Sequence, residues 1–460
     1  SLAIRRAIGD RAGEGTTLNN ISQIYHARGD YDTALDFLQQ ALAIQQAIGD
    51  RADKGVTLSN IAGLYRARGD YDTALDFLQQ SLAILQAIGN LAGEGKTLNN
   101  ISAIYHARGD YDTALDFLQQ AIPILRTIND RAGEGTTLDN LAQLYYIRGD
   151  YDTALDFFQQ SLAIRRAIGD RAGEGATLNN ISLIYRARGD TDTALDFLQQ
   201  SLTIRRDIGD RAGEGTTLDN ISQIYKAHGD YDTALKYLQD SLTIRRAIGD
   251  RAGEGTTLNN ISQIYDTRGD TATALEFLQQ SLAIRRAIGD RAGEGTTLSN
   301  IAHIYNAQGD HDTALDLLQQ SLAICQAIGD RAGEGTMLNN IATAAVACGD
   351  YAMALDFLQK SLAIFHAIGN RAGEGATLNN ISAIYNARGD YDIALEYLQQ
   401  SLAISQDISD ATGLCMTLFN MGHIHWQNDQ PDEALGAWLA AYELASRIGH
   451  AQVLAALEGL

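Results

Sequence analysis

A forty-residue module is written eleven times along this chain, from Arg11 to His450. With a period of this length, no copy can bury its apolar face alone, so the copies must stack and share a continuous core. Stacking of that kind makes a solenoid, which offers an extended binding surface rather than a pocket. The prior of about three domains for a chain of this size gives way to a single array over residues 1–460. It comprises a partial repeat at 1–10, eleven repeats at 11–450 and the start of a further helix at 451–460. The first ten residues match the second half of a repeat's second helix, and no methionine opens the chain. The array is therefore expected to be cut from a longer protein, with a further helix or domain after it.

In residues 11–50, Leu18, Ile21, Ile24 and Tyr25 recur at helical spacing. After Gly29-Asp30, so do Ala34, Leu35, Leu38, Leu42 and Ile48. This periodicity predicts two amphipathic helices per module and an all-α fold. Gly-Asp punctuates them: glycine supplies the left-handed residue that ends one helix, and Asp30 or Asp50 caps the next. Acidic Glu14 and Asp32 fall in first turns, and Arg165-Arg166 or Arg205-Arg206 in last turns, which suits the helix dipole. Most of the charge is thus helix decoration. Gly-Glu-Gly recurs in nine of the eleven repeats, although each glycine costs a helix about 1 kcal/mol relative to alanine. Two readings account for it: close helix-to-helix approach at Gly13 and Gly15, or a helix that starts near Thr16 with the glycines in a loop.

Lysine plus arginine number 35 against 57 acidic residues, a net charge of −22, which argues against nucleic-acid and anionic-membrane partners. No apolar run approaches the roughly 18 residues of a spanning helix, and nothing at the start reads as a signal peptide. Cys325, Cys348 and Cys415 have neither metal-ligand nor redox spacing, so free thiols in a reducing, cytoplasmic setting are expected. His423 and His425 stand two apart, on different faces of a helix, which is poor metal geometry. Gly-Glu-Gly-Thr-Thr follows no strand and lacks the lysine of a phosphate loop. No candidate base recurs in the module. We therefore assign no catalytic residue, metal or cofactor. Arg28-Gly29-Asp30 has the form of an adhesion tripeptide, but the turn already requires its glycine and aspartate, and His228, Gln308 and Cys348 replace the arginine.

Leu18, Ile21, Ser22, Tyr25, Gly29, Ala34, Leu38 and Ala41 together resemble the pattern of the tetratricopeptide repeat family, over essentially the whole chain. The chain departs from it in lacking the closing proline, where Gln46 or Arg166 stands, so the second helix runs on and the period is forty rather than thirty-four. This longer variety is similar to repeats of Pins-type polarity adaptors and kinesin light chains. It also resembles bacterial signalling arrays that sit beside a CHAT protease or a STAND nucleotide-binding switch, neither of which is in this sequence. The resemblance implies a right-handed superhelix of antiparallel helix pairs. It further implies a non-catalytic protein-interaction scaffold, as the sensor or adaptor part of a larger bacterial protein. Its concave groove would be lined from the first helices at the positions of Thr16, Asn19, Asn20, Gln23 and His26.

The Asn20 position is asparagine in every repeat: Asn20, Asn60, Asn100, Asn140, Asn180, Asn220, Asn260, Asn300, Asn340, Asn380 and Asn420. An amide both donates and accepts, so this ladder could pair with an extended peptide backbone. Helices about 8–10 Å apart and a peptide rise of about 3.3 Å per residue would give one asparagine to about every third peptide residue. The other reading is that the amides tie neighbouring helices together. The His26 position runs His26, Arg66, His106, Tyr146, Arg186 and Lys226, then Asp266, Asn306, Val346, Asn386 and Trp426. The basic and aromatic first half favours an acidic or aromatic-bearing peptide, unless it is drift at an exposed position. A carboxylate clamp of the co-chaperone kind is not expected, because only Asn60, Asn100 and Lys96 match it. The alternative to peptide capture is self-assembly of near-identical repeats into dimers or filaments.

Three irregularities carry expectations of their own. Pro123, inside a second helix, predicts a bend in the superhelix. Ala344-Ala345 replaces a core Ile-Tyr pair, a loss of roughly 3–5 kcal/mol if the void stays empty, with Met337, Met353, Phe365 or His366 as candidates to refill it. Trp426, Trp438, His423, His425 and Pro431 mark the eleventh repeat as an atypical terminal unit or a junction.

Overall fold

Leucine and isoleucine at helical spacing, interrupted every twenty residues by a left-handed residue that is glycine except at Asn129, Ser409 and Asp429, give a chain of helical hairpins. The computed structural model describes residues 2–457, and among them are twenty-four helices and no strand. The first repeat consists of helix A, Arg11–Ala27, and helix B, Tyr31–Ile48; the eleventh, of Ala411–Gln427 and Pro431–Ile448. Leu2–Ala7 precedes them, and Ala451–Leu457 begins the further helix expected at 451–460, of which 458–460 lie outside the described residues. Each helix packs on its neighbours in sequence, so the predicted α-solenoid is the architecture. At the corners Gly49 has φ +71, and the Asp50 carboxylate accepts from Asp53 N at 3.0 Å.

The Gly-Glu-Gly motif lies inside helix A, since that helix begins at Arg11 rather than near Thr16. Close approach is its cause. A β-carbon on Gly95 would stand 2.8 Å from Leu125 Cδ2, and one on Gly173 1.9 Å from Arg165 Nη1. The serine of helix B completes the contact: Ser81 Oγ donates to Gly55 O at 2.7 Å, and Ser201 to Gly175 O at 2.7 Å. Between the glycines, Glu174 accepts from Arg166 at 2.8 Å and Arg171 at 2.6 Å. Burial raises the pKa of this carboxyl, but the two arginines outweigh it and hold the group below its ordinary value. The motif is thus a structural joint between consecutive hairpins.

The irregularities resolve differently from one another. The helix Tyr111–Thr127 runs unbroken through Pro123, which sits on its exposed side, away from the core that a kink would disturb. Around Ala344 and Ala345, both fully buried, Met337 packs into the core with Leu318 and Ile341, whereas Met353 and His366 remain exposed. Phe365 is buried too, but against Gly335 and Gly373. In the eleventh repeat His423 and His425 make separate hydrogen bonds, with Trp438 and Gln430.

Sequence gave no sign of the superhelical pitch. Gly69 lies against Ile328 and Gly109 against Ile368, each pair 259 residues or about six and a half repeats apart; the same spacing joins Gly149 to Ile408 and Gly189 to Ile448. Successive turns therefore touch. The spacing is the same for corners on both sides of Pro123. Across the seam between turns, Arg331 N donates to Arg108 O at 3.1 Å, and Tyr31, Tyr71 and Tyr111 are buried, joining cores with Ile288, Ile328 and Ile368. The effect on one repeated residue is direct. Ile48 and Ile168, which no turn covers, are 41% and 42% exposed, whereas Ile328 and Ile408 are 8% and 5% exposed. Covering that fraction of an isoleucine stabilises by roughly 0.5–1 kcal/mol, so one corner is weak and five in register are not.

The second glycine of the motif makes opposite predictions in two repeats. A β-carbon on Gly135 would meet its neighbours at an ordinary 3.6 Å, so Gly135→Ala should stabilise by about 0.5–1 kcal/mol through helix propensity. Gly95→Ala should destabilise despite the same propensity gain. Urea unfolding of both variants measures the difference in sign.

Candidate functional site

The inner wall of the solenoid is built from A helices. Gln23, His26, Asn60, Gly63, Arg66 and Asn100 line one concave stretch of it, and Arg66, His106, Asn140 and Gln143 the next. Because successive turns touch, this wall encloses a channel. Where the two turns meet at the wall lies a cleft of about 660 Å³, shared by Tyr146, Arg186 and Lys226 from one turn and Asp410 and His450 from the next. Of the row predicted from the His26 position, His26 and Arg66 thus share one stretch, Arg66 and His106 the next, and Tyr146, Arg186 and Lys226 the cleft.

Charge along the row is lightly compensated. Most arginines outside it are tied to carboxylates, as Arg68 is to Asp32 and Arg165 to Asp139 and Asp170. Among the described residues Arg66 and Arg186 make no side-chain hydrogen bond or ion pair. Lys226 Nζ donates to Gln263 Oε1 at 2.7 Å, and burial lowers its pKa while Asp266 pulls the other way. Burial, and after it the Arg66 charge, push the His26 and His106 imidazoles below their ordinary value. His106 Nε2 is buried without a partner. The rings of the row also reach the seam: His26 lies 5.7 Å from Tyr31, His106 5.8 Å from Tyr111 and Tyr146 5.4 Å from Tyr151.

The asparagine ladder divides in two. Asn140, Asn220, Asn340, Asn380 and Asn420 each donate through Nδ2 to the residue at the Asn19 position of the preceding repeat, at 3.2, 3.0, 3.0, 3.1 and 3.2 Å. These five tie neighbouring A helices together and retain the amide oxygen and a second N–H. Asn20, Asn60, Asn100, Asn180, Asn260 and Asn300 make no such bond among the described residues. For Asn180 and Asn260 the reason is chemical. Their neighbours are Asp139 and Asp219, whose carboxylates are taken by Arg165 and Thr177, and by Arg245 and Thr257.

The Asn19 position does not face the groove as the resemblance implied. It is buried between helices, where Asn19 Nδ2 donates to Thr57 Oγ1 at 2.7 Å, Asn99 to Thr137 at 2.7 Å and Asn339 to Thr377 at 2.8 Å. The signal for this was present, because the threonine recurs thirty-eight residues on and substitutions at the asparagine site are mostly aspartate or serine. Thr16 is exposed but bonds to Asp53 of the next repeat.

Two measurements follow. Asn140→Ala should cost about 1 kcal/mol of stability by removing an inter-repeat hydrogen bond, and Asn180→Ala close to nothing, in matched urea melts. In the second, the unfolded chain binds more protons than the folded one between the lowered folded pKa values of His26 and His106 and the ordinary value near 6.5. Stability should therefore be full above pH 6.5 and fall as pH drops below it. A His26→Gln/His106→Gln variant should flatten that part of a melting-temperature profile.

Comparison with known proteins bears on the array as a whole. The family model described as tetratricopeptide repeat matches residues 1–47, 53–127, 133–207, 173–247, 213–287, 293–365 and 333–407. No curated protein matches the sequence significantly. Among solved structures the chain is similar to a Rap protein complexed with competence and sporulation factor, at 15% identity over 78% of this chain and 99% of that one, with a TM-score of 0.51. BtubC (BKLC) from P. vanneervenii is 17% identical over 48% of this chain and 90% of its own, with a TM-score of 0.38. A signal transduction ATPase with numerous domains and a tetratricopeptide repeat sensor, from Pyrococcus horikoshii, is 16% identical over 75% and 54%, with a TM-score of 0.46. At these identities the likeness is one of fold.

Proposed function

The chain belongs to the tetratricopeptide repeat family, and from that premise we propose that it is a non-catalytic, cytoplasmic scaffold that captures an acidic, aromatic-bearing peptide segment along its inner wall. The observation that carries this reading is the row His26, Arg66, His106, Tyr146, Arg186 and Lys226, in which Arg66 and Arg186 have no carboxylate partner among the described residues, in a chain of net charge −22. Cations lining a concave wall focus their field on what enters it. Between the cations, the rings of His26, His106 and Tyr146, each held against a buried seam tyrosine, offer stacking surface. The side-chain amides of Asn20, Asn60, Asn100, Asn180, Asn260 and Asn300 supply donors and acceptors for a peptide backbone. Those of Asn140, Asn220, Asn340 and Asn380 keep their oxygen for the same use. Support from outside the chain is the Rap protein, an array of similar fold solved with a separate factor bound. We assign this array the part of sensor or adaptor in a larger bacterial protein.

Fluorescence anisotropy with a labelled decapeptide of alternating glutamate and tyrosine tests the reading, with a lysine-tyrosine decapeptide as the control. The acidic peptide should bind more tightly, and the preference should shrink as salt is raised. Arg66→Glu/Arg186→Glu should lose about tenfold or more in affinity. Equal binding of both peptides, or an unchanged affinity in the charge-reversed variant, would refute the inner-wall assignment.

A further inference from the structure

A segment bound on the inner wall must first reach it, and the touching turns leave little room. A helices about 8–10 Å apart, six and a half to the turn, form a ring about 17–21 Å across at their axes, and helix bodies about 10 Å thick leave a bore of about 7–11 Å. An extended segment with side chains on both faces is itself about 10 Å thick, and Arg66, His106 and Arg186 line the bore. Threading a segment lengthwise past them is hindered. The wall between turns, by contrast, is lightly held. Neighbouring repeats are tied by polar bonds: Asn99 donates to Thr137 at 2.7 Å, Asn140 to Asn99 at 3.2 Å and Arg166 to Glu174 at 2.8 Å. Among the described residues every ion pair joins a repeat to itself or to the next one, as Arg68–Asp32 and Arg166–Glu174 do. Across the seam there is the single backbone bond from Arg331 N to Arg108 O. What remains is isoleucine on glycine, Ile328 on Gly69 and Ile368 on Gly109, with Tyr71 and Tyr111 behind.

We propose that the seam is a gate: the turns part at the glycine–isoleucine corners, admit the segment sideways onto the inner wall and close again over it. The inference rests on the inner-wall reading above and adds the route by which that wall is reached. An element held by few buried contacts opens before the rest of a fold does, and here that element is the seam rather than any hairpin. Parting it leaves the helices and the ties between neighbouring repeats intact, because a small change of rotation at each of several joints suffices to separate the corners. Sideways entry needs no free end of the segment. The inner rings of His26, His106 and Tyr146 touch Tyr31, Tyr111 and Tyr151, the tyrosines that the seam buries, so the wall and its gate share side chains.

Locking the seam tests this. A β-carbon on Gly69 would stand 3.5 Å from Ile328 Cβ, within the roughly 3.5–4.5 Å that a disulfide spans. Gly69→Cys/Ile328→Cys is therefore made in the intact chain, with Cys348→Ser to remove the exposed thiol. Gly29→Cys/Ile288→Cys, at 3.6 Å, replaces the pair if it does not fold. The oxidised and reduced forms of one protein are then compared by stopped-flow anisotropy with the labelled glutamate-tyrosine decapeptide. Oxidation should slow association about tenfold or more, and reduction should restore it. Oxidation after binding should slow release by a similar factor. Equal rates in the two forms overturn the gate. A second measurement needs no ligand: in Ile328→Cys alone, the new thiol should react with a thiol reagent faster than the buried Cys325 and Cys415, because the seam opens while the hairpin cores stay closed. Labelling no faster than theirs also overturns the gate. If the reduced form and the wild type both fail to bind the peptide, the inner-wall reading is what fails, and the labelling rate alone decides whether the seam opens.

Discussion

Everything distinctive in this molecule depends on a glycine corner resting on an isoleucine six and a half repeats away. A solenoid in which only neighbours touch is a spring with open coils, and its concave face is a groove accessible along its length. Contact between turns converts the groove into a channel and gives the array long-range contacts that repeat proteins ordinarily lack. The contact is possible because the corner residue carries no side chain. A β-carbon on Gly149 or Gly189 would lie 2.1 Å from the opposing isoleucine. The glycine required for a left-handed φ is therefore also the glycine required for turns to meet.

Much of this architecture is legible in the sequence, and the limits are physical. Helix boundaries follow from Gly-Asp and from the spacing of Leu18, Ile21 and Tyr25, because those are local rules of capping and amphipathicity. The pitch is not local. It results from a small rotation accumulated over many hairpins, and Ile48 and Ile328 are identical residues in near-identical modules, although one is exposed and the other buried. Gly13 and Gly15 were ambiguous for the same reason, since what decides between loop and close approach is a side chain of a neighbouring helix. At the candidate site the row from His26 to Lys226 could be read directly, whereas the inward turn of Asn19 could be found only by asking what its recurring threonine, thirty-eight residues on, would bond to.

The buried polar ladder explains how so regular an array keeps its register. Leucine and isoleucine faces on adjacent helices could shift past one another by a helical turn at little apolar cost. Asn19 to Thr57, Asn99 to Thr137 and Asn339 to Thr377 each bury a donor and an acceptor that are satisfied only when consecutive A helices align. Where aspartate substitutes at 139 and 219, helix B of the same repeat supplies Arg165 and Arg245 as counter-charges. An unpaired buried carboxylate would cost several kcal/mol, so the charge is tolerated only together with its partner.

The ladder also leaves the inner row as the place where binding and superhelical geometry meet. Rings at the His26, His106 and Tyr146 positions touch Tyr31, Tyr111 and Tyr151, and those tyrosines are the residues that the next turn buries. A ligand that displaced an inner ring would act on the seam through one intervening side chain. A change in rotation per repeat, however small, is multiplied over six and a half repeats before the corners meet again. Close packing at the corners, with an isoleucine held against bare backbone, admits little continuous adjustment. The seam is therefore the element at which a local event on the inner wall becomes a change in the whole spiral, either by holding the ligand-free pitch against the ligand or by giving way.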